Sequence, residues 1–181
     1  MNSGAEAVET GLKLARKWGY LKKGIPANEA VIVACEGNFH GRTVTIVSIS
    51  TDDEARADYG PYTPGIEVIP YNDVDALRQV FETKGDKIAG FLVEPIQGEA
   101  GVFVPDDGYL KACKQLCEQH NVLFIADEVQ TGIARTGKLL CCDHEEIRPD
   151  IVILGKAISG GVMPVSAVLA DDEIMMTIKP G

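Results

Sequence analysis

The sequence predicts an α/β fold, a mostly parallel sheet flanked by helices, and three observations point to it. Strand-like and helix-like segments alternate along the 181 residues, the pattern of parallel strands joined by crossover helices. Three of the strand-like segments, 88–93, 122–126 and 151–154, are apolar throughout instead of alternating, which marks strands covered on both faces. Each of those runs meets polar or ionisable residues at once: Glu94 after the first, Asp127-Glu128 after the second, Gly155-Lys156 after the third.

The elements follow in order. Ala7, Val8, Leu12, Ala15 and Trp18 form a helical stripe, predicting a helix over 5–20. Short apolar runs predict strands at 30–34 and 66–69, and a helix is expected over 73–83. The strand 88–93 precedes a helix over 106–120, and the strand 122–126 follows it. The strand 151–154, a further strand at 165–169 and a final helix over 171–178 complete the chain. No internal repeat or low-complexity tract interrupts this order.

Composition excludes several function classes. Lys plus Arg number 17 against 27 Asp plus Glu, a net charge of −10, whereas a nucleic-acid or anionic-membrane binder needs a cationic surface. The longest charge-free run, 157–170, has 14 residues and contains Gly160, Gly161 and Pro164, too short and broken for a membrane span. Glu6 and Glu9 interrupt the N-terminal stretch, which is not a signal peptide. Five cysteines are an odd number and do not suggest a disulfide framework. A reducing intracellular compartment, cytoplasm or mitochondrial matrix, is the expected setting.

Parallel strands end at a common edge, so Glu94, Asp127 and Lys156 should gather there, at the carboxyl edge where open α/β sheets bind ligands. Gly98, Gly101, Gly132, Gly137, Gly155, Gly160 and Gly161 crowd the loops beyond it; each alone makes a turn, but together they allow close backbone approach to a ligand. A lysine and an aspartate at neighbouring strand ends have two readings. One is a salt bridge closing the core. The other is a Schiff-base lysine with a carboxylate partner for a heterocyclic nitrogen, the two parts that pyridoxal phosphate requires. Ser3-Gly4-Ala5 at the start of the first helix could cup a phosphate, and Ser3 with Glu6 also fits an ordinary capping box.

Weaker candidates fall to bland readings. Gly132 to Lys138 has the spacing of a P-loop, but Leu139 stands where Ser or Thr must hold magnesium. Cys113, Cys117 and His120 share a helical face, where cysteines are more often core than ligands; no metal is expected. Cys141-Cys142 read as packing residues or exposed thiols, and His144 as part of a solvated acidic turn. No Gly-x-Ser-x-Gly hydrolase motif is present.

The segment Leu123-Phe124-Ile125-Ala126-Asp127-Glu128-Val129-Gln130-Thr131-Gly132, followed by Gly155-Lys156-Ala157-Ile158-Ser159-Gly160-Gly161, resembles the class III pyridoxal-phosphate aminotransferases. Val93 to Gly101, Asn38-Phe39-His40-Gly41-Arg42-Thr43 and Asn2-Ser3-Gly4-Ala5-Glu6-Ala7 fit the same family, in family order across nearly the whole chain. Within it, Glu99, Arg135-Thr136-Gly137-Lys138 and the ending from Asp171 to Gly181 are most similar to the ornithine-specific branch.

The resemblance implies a fold-type I large domain, incomplete: residues 1–181 would form its central part, without the N-terminal segment and C-terminal small domain. It implies pyridoxal 5'-phosphate as cofactor, small amino acids and 2-oxo acids as substrates, and a homodimer in the full-length protein. It implies transfer of the 5-amino group of L-ornithine to 2-oxoglutarate, with acetylornithine or 4-aminobutyrate transamination, an aminomutase, or a non-catalytic fragment as alternatives. Lys156 would be the cofactor's lysine and proton shuttle, and Asp127 would pair with the pyridine nitrogen. Ser3, Gly4 and Ala5 would hold the phosphate, Phe39 and Val129 would cover the two ring faces, and Gln130 would bond the phenolic oxygen. Arg42 would meet a substrate carboxylate. Glu99 would be the carboxylate that switches between substrates by pairing with an arginine outside this chain, and Glu94 a supporting acid. His40 stands where some ornithine-specific members carry Trp.

Overall fold

Six strands make one sheet in the order β2-β1-β3-β4-β5-β6. The computed structural model describes residues 1–179; Pro180 and Gly181, the end of the C-terminal motif above, lie outside the described residues. In chain order the elements are α1 (Gly4–Trp18), β1 (Val31–Cys35), α2 (Val44–Val47), α3 (Asp53–Arg56), β2 (Ile66–Ile69), α4 (Val74–Lys84), β3 (Ile88–Val93), α5 (Tyr109–Gln119), β4 (Leu123–Asp127), β5 (Ile151–Leu154), β6 (Ala167–Ala170) and α6 (Asp172–Met175). Strands β1 to β5 pair in parallel and β6 closes the sheet antiparallel to β5. The strand order reverses between β1 and β3, the kind of switch point beside which α/β proteins bind ligands.

The continuous apolar runs are explained by two cores, one on each face. Side chains alternate across a strand. Ile32, Ala34, Leu92, Leu123 and Ile125 therefore pack on the α1 side with Val8, Leu12, Ala15 and Trp18. Val33, Phe91, Val93, Phe124 and Ala126 pack on the other, with Leu77 and Phe81 of α4 and Leu110, Leu116 and Cys117 of α5. Phe91 and Phe124 meet edge to face at 6.0 Å. Cys113 and Cys117 are core residues, as expected. All five cysteines are free and buried, and burial pushes the Cys35 and Cys113 thiols up to about 12.

Most differences from the expected boundaries have local causes. α1 starts at Gly4 because Ser3 closes a capping box: Glu6 N–H donates to Ser3 Oγ and Ser3 N–H to Glu6 Oε2, at 3.2 and 2.7 Å. It runs on into a π-helical turn, Gly19–Lys23, that stops at left-handed Gly24 (φ 84°). α5 starts three residues later than expected, because Gly108 (φ 85°) is its N-cap. Asp73 likewise caps α4, accepting from Ala76 N–H at 2.8 Å. β6 starts after Ser166, whose N–H donates to Met1 O at 2.8 Å. The four-residue helices α2 and α3 were not expected; at that length no periodicity shows.

Candidate active site at the carboxyl edge

Strand parity places the acids. Glu94 follows β3 on the side of Leu92, and Asp127 ends β4 on the side of Ile125, so both belong to the α1 face. Gly4 and Ala5 begin the helix on that face, and Phe39, His40 and Gly41 arrive from the loop after β1. Together with Val129, Gln130 and Lys156 these residues line a cavity of about 170 Å³. The sheet therefore gathers Gly4, Ala5, Phe39, Glu94, Asp127, Val129, Gln130 and Lys156 around one space.

The polar contacts are specific. His40 Nδ1 and Asp127 Oδ2 lie 2.6 Å apart, both residues buried, and Val129 N–H donates to Asp127 Oδ1 at 3.1 Å. Burial alone would lower the His40 pKa, but the hydrogen bond and charge of Asp127, with Glu94 assisting, outweigh it and raise the value. Nδ1 then donates to the carboxylate. Its other ring nitrogen, Nε2, is buried with no partner among the described residues. Glu94 accepts from Phe39 N–H at 3.0 Å. Burial pushes its carboxyl up to about 7, against the opposing pull of His40 and the Phe39 bond. Lys156 Nζ donates to Gln130 Oε1 and lies 3.7 Å from Glu99 Oε1.

Backbone geometry sets the side walls. A Cβ on Gly4 or Gly155 would come within 2.9 or 3.0 Å of Val129 Cγ1, so only glycine lets this side chain pack between the helix start and the β5 turn. Lys156 itself has φ 40°, Ile133 φ 55° and Ala134 φ 62°. Left-handed backbone at such residues costs of order 1–3 kcal/mol each and persists only where the surroundings impose it.

Three expected residues do not line this cavity, and the first, Glu99, lines a neighbouring space with Phe39 and His40. Arg42 is exposed and lines a separate space of about 250 Å³ with Val44, Glu54 and Tyr59. Ser3 is engaged in its capping box and contributes no wall. The P-loop spacing is not a phosphate cradle: its lysine, Lys138, donates to Asp143 O at 3.2 Å, and no α-helix follows the loop directly. His144 is exposed, its Nε2 3.0 Å from Thr136 O. Among the described residues no group of three or more His, Cys, Asp or Glu could hold a metal ion, and no helix is long and apolar enough to cross a membrane. The His40–Asp127 bond was missed in the sequence, being 87 positions long; strand parity together with a polar residue in the β1 loop was the available signal.

Comparison with known proteins finds relatives that match the whole chain. An ornithine aminotransferase of Arabidopsis thaliana, named mitochondrial, is 64% identical over all 181 residues, which cover 38% of it. The rat mitochondrial ornithine aminotransferase is 60% identical, with 41% of its length covered. The crystal structure of ornithine aminotransferase from Toxoplasma gondii matches the whole chain with a TM-score of 0.98 at 51% identity, over 42% of that chain. Another structure of the Toxoplasma gondii enzyme is described with partial occupancy of PLP at its active site. An acetylornithine aminotransferase from Elizabethkingia anophelis matches all of this chain and 41% of its own, with a TM-score of 0.85 at 57% identity. The chain thus spans about two fifths of the length of these relatives. The family described as aminotransferase class-III matches residues 1–181, and with a buried Asp127 and a Lys156 brought to one cavity at the end of its parallel strands, the chain belongs to that family.

Proposed function

We propose that the protein containing this chain transfers the 5-amino group of L-ornithine to 2-oxoglutarate, giving L-glutamate 5-semialdehyde and L-glutamate, with pyridoxal 5'-phosphate as cofactor. The observation that carries the reading is the convergence of Lys156 and Asp127 on one cavity beside the start of α1. The residues present fit that cofactor. The cavity offers an amine, a buried carboxylate, an aromatic and an aliphatic wall, and the start of a 15-residue helix. The first N–H groups of a helix lack acceptors within it and favour a phosphate. The orphaned His40 Nε2 lies in a residue of the same wall.

When bound, the cofactor supplies an aldehyde that condenses with amines and a ring that accepts an electron pair. The rest falls to this chain. Asp127 keeps a proton on the ring nitrogen, and His40, bonded to its Oδ2, fixes the carboxylate's orientation and compensates its burial. The Lys156 amine would hold the aldehyde and serve as the proton carrier at the substrate carbon, and Gln130 Oε1 gives that amine a defined acceptor. Phe39, 38% exposed, and Val129 line the same cavity and would cover the ring faces. Glu99, within 3.7 Å of Lys156, would bias which substrate enters, whereas Arg42, which lines a separate space, is given no role at this cavity. The same reading carries a homodimer and a reducing compartment; the relatives named mitochondrial favour the matrix over the cytoplasm.

The test is Lys156→Ala in the complete protein. The expected result is loss of both the visible absorbance of bound cofactor and transamination; retained turnover overturns the reading. A panel of ornithine, acetylornithine and 4-aminobutyrate decides the substrate. The likeness to the Elizabethkingia anophelis structure makes acetylornithine the second reading, and an active protein that prefers it replaces ornithine in the proposal.

A further inference from the structure

Asp127 and Glu128 are consecutive carboxylates on opposite faces of the sheet, and only the first belongs to the cavity. Glu128 is 1% exposed and points to the side where Cys142 is part of the second core. Its Oε2 accepts from Cys141 N–H at 3.0 Å and from the Thr131 hydroxyl, and its Oε1 accepts from Cys142 N–H at 2.9 Å. Its own backbone is held as well: Glu128 N–H donates to Ile153 O and Gly132 N–H to Glu128 O, both at 2.9 Å. One buried side chain thereby joins the departure of the loop after β4 to its return, 13 and 14 residues later. The loop it closes includes Ile133 and Ala134, two successive non-glycine residues in left-handed backbone. Such a conformation relaxes unless something holds it. The same loop begins with Val129 and Gln130, one packed against Gly4 and Gly155, the other bonded to Lys156.

We propose that Glu128 is a positioning residue: its buried carboxylate clamps both ends of the 129–140 loop and so sets Val129 and Gln130 against the cofactor space. The proposal rests on the aminotransferase reading for its consequence in catalysis, but the clamp itself is independent of substrate. A carboxylate suits the task because it only accepts, and all three groups facing it donate.

Glu128→Gln keeps the shape but turns an NH₂ group toward an N–H or O–H donor. In the complete protein without cofactor, amide hydrogen exchange of 129–142 is expected to rise at least about tenfold, because an unpaired buried donor weakens the loop. In the same variant kcat is expected to fall about tenfold or more with KM for the amino substrate changed far less, the signature of misplaced rather than missing groups. Affinity for pyridoxal phosphate, read by absorbance titration, should weaken in parallel. Thr131→Val removes one donor and leaves both backbone bonds, so it covers the case in which Glu128→Gln does not fold; smaller changes in the same three readouts are expected. Unchanged exchange in 129–142 overturns the clamp. Raised exchange with unchanged kcat and cofactor affinity overturns the positioning role. If the unsubstituted protein binds no pyridoxal phosphate, the function reading fails, and exchange alone decides the clamp.

Discussion

At the amino-terminal edge of the sheet, Lys23 Nζ donates to the carbonyls of Gly85, Ile88 and His120 at 2.8, 2.8 and 3.0 Å, joining three segments with one cation. At the carboxyl edge the buried polar groups include His40, Glu94, Asp127 and Glu128, three of them acids. The backbone differs in the same sense. The segments entering the strands turn left-handed at Gly24, Asn28, Asp58, Gly65 and Asn121, residue types that tolerate it, with exposed Glu146 as the exception. The segments leaving the strands do so at Asn72 and at glycines, but also at Val102, Ile133, Ala134 and Lys156. One edge is built at low conformational cost; the other keeps unfavourable backbone and buried charge, and it is the edge that holds the cavity. The difference teaches that the site is paid for by the rest of the sheet.

The contrast can be tested through pH. The Glu94 carboxyl stands at about 7 against an ordinary 4.5, because of its burial. Between those values the folded protein holds a proton that the unfolded chain has released, so stability falls as pH rises across the window, by about 3 kcal/mol in all. Glu94→Gln retains an acceptor for Phe39 N–H and should abolish that slope, read from denaturant midpoints at pH 5 and pH 8. The same slope in both proteins would assign the proton elsewhere. At the opposite edge, Lys23→Met leaves three carbonyls without their donor and should cost about 2 kcal/mol, with kcat in the complete protein unchanged. A drop in kcat there would erase the functional distinction between the edges. The smallest effect sharpens the backbone comparison. Exposed Ala134→Gly should gain about 1 kcal/mol by relieving left-handed strain. Asn121→Gly should stay within about 0.5 kcal/mol of neutral.

Strands covered on both faces were legible because burial on two sides leaves no polar position in them, and β3 and β5 begin and end where the apolar runs do. The gathering of Asp127 and Lys156 followed from parallel pairing alone. What stayed hidden depended on long-range placement. His40 looked like a variation within a motif, yet it supports Asp127 from another loop. Arg42 belonged to the same motif and ended in a different cavity, because α2 begins two residues later and turns the chain away. Glu128 was read as a motif letter beside Asp127; only the folded return of Cys141 and Cys142 reveals what its carboxylate does.

Because neighbouring side chains of β4 face opposite ways, the acid that serves the cavity and the acid that ties the loop are separated by a single step of the chain. Inserting or deleting one residue inside that strand would leave the local composition almost intact while exchanging their sides. The glutamate would be carried toward His40 and the aspartate beneath the thiols, with a side chain one methylene too short for the span. The length of β4 is therefore fixed by the two acids at its end, one needed on each face.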